Sequence, residues 1–578
     1  MGDRHLSSWP PSIPRELEAP NTSLWSNLER SASLYPVRKA LIFYDSSVSY
    51  DELRRSCEQL AGFLQQRCGV QRGDRVALYM QNSPQFIIAY YAILRAGAAV
   101  VPINPMNLTN ELRYMLEDSG ATVLFASQEL AAHALPLTGA PGAGAGNGNG
   151  NGNGKAPLQH LIISAYSDYL TAPTDLTIPD FLKAPRETFE SSAVTLWTDA
   201  LAQGLEPRPL EVGPDDLCVI PYTSGTTGNP KGCMHTHRTT MHTTVAGPEW
   251  QGGYEDECIL AVLPMFHVTG MQNCMNSPIF MGARIVVLPR WDRRVAAELI
   301  QRYRVTGWTA VPTMVVDLLS SPDIDSYDLS SIKTMGGGGA AMPEAIAQKL
   351  QDLCGLTYLE GYGLSETIAP THINPPQRPK KQCLGIPIFG TDSRVVDPET
   401  LVELEPDQIG EIITHGPQVF LGYWNKPEAN RDCFVEIEGK RFFRTGDLGR
   451  IDEDGYFFIV DRLKRMINAS GFKVWPAEVE AMLYAHPAVQ EAAIIGTKDP
   501  RRGETVKAVV VAKTGMRDRV DETSFITWCQ ANMAAYKVPR SVEFVDSLPK
   551  TGSGKIMWRA LQEEEDRRLA RRAAEASG

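Results

Sequence analysis

Between Tyr222 and Gly232 the chain reads Tyr-Thr-Ser-Gly-Thr-Thr-Gly-Asn-Pro-Lys-Gly, directly behind the apolar run Leu217-Cys218-Val219-Ile220. The hydroxyls of Thr223, Ser224, Thr226 and Thr227 lie among the glycines Gly225, Gly228 and Gly232, with one cation, Lys231. That mixture suits a polyphosphate. Glycine lets backbone N–H groups approach phosphate oxygens, hydroxyls add donors, and a lysine adds a mobile positive charge. The segment is not the Gly-x-x-x-x-Gly-Lys-Ser/Thr phosphate loop, because its lysine follows Pro230.

Four more polar segments follow in order: Glu360-Gly361-Tyr362-Gly363-Leu364-Ser365-Glu366-Thr367, Arg444-Thr445-Gly446-Asp447-Leu448, Asp461-Arg462-Leu463-Lys464 and Pro549-Lys550-Thr551-Gly552-Ser553-Gly554-Lys555. Together with the first loop, these segments resemble the ordered motifs of the adenylate-forming superfamily: acyl-CoA synthetases, adenylation domains of peptide synthetases, and luciferases. The resemblance covers nearly the whole chain. Five motifs in sequence are far more specific than any one of them.

The resemblance implies a role for each matched position. Thr223, Ser224, Gly225, Thr226, Thr227, Gly228 and Lys231 would hold the β- and γ-phosphates of ATP and then the departing pyrophosphate, work done mainly by positioning and electrostatics. Glu366 would bind Mg2+, which favours one carboxylate together with phosphate oxygens and waters. Tyr362 would stack on adenine within the turn of Glu360, Gly361, Gly363 and Ser365. Gly337 and Gly338, in the run Gly336 to Gly339, would allow close backbone approach from the other side. Ser365 stands where many relatives carry threonine. Asp447 would accept hydrogen bonds from the ribose hydroxyls, and Arg462 would contact ribose and phosphates. Lys555, on a glycine-rich loop, would bridge the attacking carboxylate and the α-phosphate. For the second half-reaction, the implied hinge is Lys464, about which a small domain rotates to bring Gly471 to the channel for the CoA thiol. His267, in Pro264-Met265-Phe266-His267-Val268-Thr269-Gly270, resembles the aromatic gate between acyl pocket and channel.

Positioning these groups takes more than one core. A chain of 578 residues exceeds a single ordinary hydrophobic core. Apolar spacing predicts a helix over 50–64, a strand over 76–80, a helix over 83–95 and a strand over 98–102. Alternation of this kind gives a doubly wound parallel sheet, and it recurs after Gly120, at 285–288 and at 307–311. The expected fold class is therefore α/β: a large multi-subdomain N-terminal domain over 1–461 with doubly wound sheets, and a small mobile α+β C-terminal domain over 462–578. The Gly/Asn-rich stretch 139–155 is expected as a flexible insertion within the large domain. Glu563 with Arg567 and Glu564 with Arg568, at i,i+4 spacing, predict a solvated helix at the tail.

Composition narrows the function classes. With 43% hydrophobic and 21% charged residues the chain reads as an ordinary globular protein, and a net charge of -12 argues against non-specific nucleic-acid binding. The first twenty residues lack a secretory apolar core, and the apolar run Phe86 to Leu94 stops at Arg95, short of a membrane span. Ten scattered cysteines form no Cys-x-x-Cys pair, so a reducing cytoplasm fits. Gly363-Leu364-Ser365-Glu366-Thr367 has threonine where a nucleophile elbow needs glycine, which excludes a serine hydrolase of that kind.

The resemblance points to an acyl-CoA synthetase using ATP, Mg2+ and CoA, with a homodimer compatible with the reading. The segment Gly471 to Glu480 is most similar to medium- and long-chain fatty-acid–CoA ligases. Met271, Met275, Ile279, Phe280, Trp308, Val311 and Met314 are candidates for an apolar acyl pocket. An aryl-CoA ligase and a fatty acyl-AMP ligase are the alternatives among enzymes. An inactive nucleotide-binding or interaction protein is the alternative outside them.

Overall fold

The computed structural model describes residues 4–138, 157–223, 230–253, 256–338, 342–465, 467–469, 472–474, 476–499, 503–550 and 556–577. The 139–155 insertion lies outside them. The chain divides into two compact units.

The first unit comprises 1–393, 414–443 and 454–456. Its strands form a seven-stranded and a nine-stranded sheet. In the first, Leu217–Val219, Ala99–Pro102, Arg75–Tyr79, Val123–Ser127, His160–Ser164 and Val194–Leu196 run parallel side by side. In the second, the parallel interior is Tyr358–Tyr362, Thr334–Gly338, Gly307–Thr309, Cys258–Ala261, Arg284–Val287 and Lys39–Phe43. Its edges are antiparallel, with Ser46–Ser49 at one end and His372–Ile373 followed by Ile386–Pro387 at the other. Both sheets are doubly wound, as the alternation predicts.

The helices between them start where the sequence signals. Ser49 caps Tyr50–Gln66 with a capping box to Glu52, and Ser83 caps Pro84–Arg95, which has proline in its first turn. Phe86 to Leu94 is apolar on every side of its helix, and every side is buried. It shares one apolar cluster with Val76 and Val100 of the seven-stranded sheet and Leu260 and Ile285 of the nine-stranded sheet. Near the N-terminus, the Trp9 ring sits 4.9 Å from Trp250 and 5.4 Å from Phe389, both edge-on.

The second unit comprises 394–413, 444–453 and 457–578. It thus takes in two segments that precede the boundary read from sequence at 461. Its later part is α+β: the strands Val489–Asp499 and Gly503–Ala512 form a long antiparallel ribbon, which Ile467–Ala469, Phe472–Val474 and Ser541–Phe544 extend. The tail helix Trp558–Ser577 forms as expected, with Glu563, Glu564 and Arg567 exposed, but it also docks one acidic residue. Glu565 on it is buried and accepts hydrogen bonds from Lys507 Nζ at 2.7 Å and Thr497 Oγ1 at 2.8 Å. Charge spacing along a helix shows which pairs are in reach, not which face docks, and here the docked residue lies between the two expected pairs.

All ten cysteines are free thiols and none is exposed. Burial pushes Cys218 and Cys274 up to about 12 and Cys258 and Cys529 up to about 11.

Candidate active site

Thr223 and Lys231 face each other in a two-residue antiparallel hairpin, Tyr222–Thr223 with Lys231–Gly232, that brackets the loop between them. Ser224, Gly225, Thr226, Thr227 and Gly228 lie outside the described residues. The Lys231 ammonium stands 4.9 Å from the centre of the Tyr423 ring. The hydroxyl of the same tyrosine donates to Glu366 Oε1 at 2.7 Å, and Phe420 N donates to the Glu366 carbonyl at 2.9 Å. One tyrosine therefore joins the cation of the loop to the carboxylate expected to hold the metal.

Glu366 sits in the 3-10 turn Ser365–Thr367, just beyond the end of strand Tyr358–Tyr362. Ser365 is fixed by its backbone, its carbonyl accepting from His235 Nε2 at 2.7 Å. His235 is buried and held down to about 4 by desolvation, so it acts as a neutral strut. No cluster of three or more metal-ligating side chains occurs among the described residues. A lone carboxylate beside a phosphate-type loop is nonetheless the donor set that Mg2+ uses when substrate phosphates and waters complete its octahedron.

Tyr362 closes the same strand, with its ring 5.6 Å from that of the buried His372. The glycines expected to admit a nucleotide have duties inside the sheet. A Cβ on Gly337 would lie 1.9 Å from the Ala310 carbonyl oxygen, and one on Gly338 would lie 2.4 Å from that of Gly361. Gly361 pairs with Gly338 on one side and Ile373 on the other, and Gly363 passes against Ala369. Glu360 is a structural tie: its buried carboxylate accepts from Met342 N at 2.8 Å and Cys383 N at 3.0 Å. Desolvation raises its pKa while these bonds oppose the rise.

His267 is exposed and caps the short helix Val268–Met271, its Nδ1 accepting from Thr269 N at 3.4 Å. Of the acyl-pocket candidates, Met271, Met275 and Ile279 are fully buried core. Trp308 lines a small cavity of about 40 Å3 where helix His237–Gln251, helix Ser277–Met281 and the strands at Gly307 and Gly336 meet. The cavity wall also carries Gln251, Glu257, Asn273, Ser277 and Thr334.

In the second unit, Asp447 is buried, and its backbone is in register with Arg462 across the antiparallel strands Lys440–Ile451 and Phe457–Arg462. Its N–H donates to Thr445 Oγ1 at 3.0 Å, and that hydroxyl donates to the Ile412 carbonyl at 2.6 Å. Lys464 lies in the 3-10 turn Leu463–Arg465 that follows Arg462. Gly471 and Lys555 lie outside the described residues. The sequence reading missed Tyr423, His235 and His372. Each lies outside the motif segments, and only the fold brings Tyr423 to Lys231 and Glu366, His235 to Ser365 and His372 to Tyr362.

Two largely parallel sheets, a hydroxyl- and glycine-rich sequence with one lysine closing a hairpin, and a carboxylate turn at a strand end define a nucleotide-handling enzyme of the α/β class. Residues 28–424 match the AMP-binding enzyme family and residues 478–555 match the AMP-binding enzyme C-terminal domain. The chain is 36% identical over 568 residues to a long-chain-fatty-acid–CoA ligase of Bacillus subtilis, covering 97% of this chain and 98% of that one. It is 34% identical over 544 residues to a feruloyl-CoA synthase of Amycolatopsis, covering 93% and 98%. Among solved structures, ATP-bound MatB from Rhodopseudomonas palustris aligns with a TM-score of 0.79 at 29% identity, covering 95% and 99%. The chain belongs to the AMP-binding enzyme family, the adenylate-forming group that its motifs resemble.

Proposed function

We propose that this chain is an ATP-dependent acyl-CoA synthetase: a carboxylic acid and ATP give an acyl-adenylate and pyrophosphate, and CoA thiol then displaces AMP. The observation that carries the reading is the arrangement of Lys231, Tyr423 and Glu366 around the hairpin at Thr223, within a full-length match to CoA ligases. Lys231 and the loop hold the β- and γ-phosphates. Glu366 is the residue that would hold Mg2+, whose charge neutralises the polyphosphate. Tyr362 forms the adenine platform, and Asp447 and Arg462 serve the ribose. Lys555 supplies positive charge where carboxylate meets α-phosphate.

A medium- or long-chain fatty acid is the first choice of substrate, on the kinship with long-chain-fatty-acid–CoA ligases. An oxygenated aromatic acid is the second reading, on the 34% identity over 544 residues to a feruloyl-CoA synthase. The test is pyrophosphate exchange followed by a panel of fatty and hydroxycinnamic acids scored for CoA-dependent AMP release. Lys555→Ala should abolish adenylation yet spare thioester formation from supplied acyl-AMP. Equal loss in both half-reactions would remove that assignment.

A further inference from the structure

A loop that grips phosphates needs its ends held, because hydrogen-bond geometry is lost with displacements of about 1 Å. The hairpin Tyr222–Thr223 with Lys231–Gly232 is only two residues long on each side and cannot do this alone. Helix Thr109–Ser119 does it from outside. Asp118, with a side chain only 8% exposed, accepts the Tyr222 hydroxyl on Oδ2 at 2.8 Å and Lys426 Nζ on Oδ1 at 2.5 Å. Its backbone carbonyl accepts Trp424 Nε1 at 3.0 Å. One turn earlier on the same helix face, the Tyr114 hydroxyl donates to the Pro230 carbonyl at 2.9 Å. Trp424 N donates in turn to the Gly232 carbonyl at 2.8 Å. The residue before the loop, the residue that closes it and the 424–426 segment thus converge on one helix end.

That segment adjoins Tyr423, which holds Glu366 and lies under Lys231. The hydrogen bond that Lys426 donates to Asp118 keeps the ammonium above its ordinary pKa, so the lysine is charged at neutral pH. We propose that Asp118 is a positioning residue for ATP, whose carboxylate ties Tyr222, at the near end of the phosphate segment, to Lys426 and so sets it in register with Tyr423 and Glu366. The inference rests on the phosphate-loop reading given above. It touches no substrate, so its signature is selective: the ATP-dependent half-reaction suffers and acyl transfer does not.

The experiment measures both half-reactions separately on the full chain for Asp118→Ala, Tyr222→Phe, Lys426→Met and Lys231→Ala. Asp118→Ala should raise the KM for ATP about tenfold, the size of one lost charge-assisted hydrogen bond. The KM for the acid, and the rate of transfer from supplied acyl-AMP to CoA, should stay within about twofold. Tyr222→Phe removes one hydroxyl and keeps the packing, so it should move the ATP KM the same way by about threefold even if Asp118→Ala folds poorly. Asp118→Ala with Lys426→Met should be less than additive. An unchanged ATP KM in Tyr222→Phe, or equal loss of both half-reactions in folded Asp118→Ala, overturns the proposal. If Lys231→Ala leaves ATP binding unchanged, the phosphate-loop reading itself fails and this inference falls with it. If Lys231→Ala weakens ATP while Tyr222→Phe does not, only the role of Asp118 fails.

Discussion

Four buried histidines make the first unit acid-sensitive in a way that can be worked out in advance. His235, His237 and His242 are each held down to about 4, and His372 to about 3, with burial as the largest cause. Their rings are committed as neutral partners: His237 Nδ1 accepts from Leu24 N at 3.0 Å, and His242 Nε2 lies 3.1 Å from the Phe389 carbonyl. The unfolded chain protonates them near 6.5 and the folded chain does not until about pH 4 or below. Their contribution is therefore fully present above pH 6.5 and is lost as pH falls from there towards 4. Integrating the difference from pH 7 to pH 5 gives ~2 kcal/mol per histidine, ~7 kcal/mol for the set, against a total stability of ~5–15 kcal/mol for an ordinary domain. Near pH 5 each histidine should steepen the stability curve by ~1.2 kcal/mol per pH unit. The assay is hydrogen exchange of helix His237–Gln251 at pH 7, 6 and 5, corrected for intrinsic rates, in the wild type and in His242→Gln. The glutamine amide keeps a donor for Phe389 but cannot titrate. A slope reduced by about that one-histidine share supports the reasoning; identical slopes in the two proteins would refute it.

Glu360→Gln should destabilise the first unit by ~1–3 kcal/mol, because the new amide N–H faces one of two backbone donors, and a normal urea midpoint would contradict this. Tyr423→Phe should raise the magnesium concentration needed for half-maximal pyrophosphate exchange by several-fold, since Glu366 loses its hydroxyl donor while the ring under Lys231 remains; an unchanged magnesium profile would separate the tyrosine from the carboxylate. Glu565→Ala leaves Lys507, itself 3% exposed, with one partner fewer in the interior and should cost about 3 kcal/mol. Its readout is limited proteolysis, with cleavage expected first in helix Trp558–Ser577.

The parallel sheets were legible because apolar runs such as Val76 to Tyr79 alternate with capped helices, and caps such as Ser49 with Glu52 are local signals. The motif residues were legible because glycine and charge cluster there. What was not legible was contact across distance. Asp118 meets Tyr222 across a separation of 104 residues and Lys426 across 308, and nothing local to any of the three announces the meeting. Glu360 shows the converse limit: a motif position read as part of the nucleotide site has its carboxylate engaged by Met342 and Cys383. The segments 394–413 and 444–453 belong spatially to the second unit, although no change of composition marks them.

The withdrawn thiols bear on how such an enzyme survives its own chemistry. An acyl-adenylate is an electrophile awaiting a sulfur nucleophile, and ten cysteines on the same chain are competitors for it. A thiol raised to about 12, as at Cys218 and Cys274, is ionised to only ~1 part in 100,000 at pH 7, whereas an ordinary free cysteine is ionised to a few per cent. Burial therefore disarms the competitors kinetically and leaves the incoming CoA sulfur as the reactive one, so that self-acylation is suppressed without excluding cysteine from the sequence. The same property turns the cysteines into silent reporters. A maleimide that labels Cys218 or Cys274 marks a molecule whose core has opened, and the labelling rate reports how often that happens.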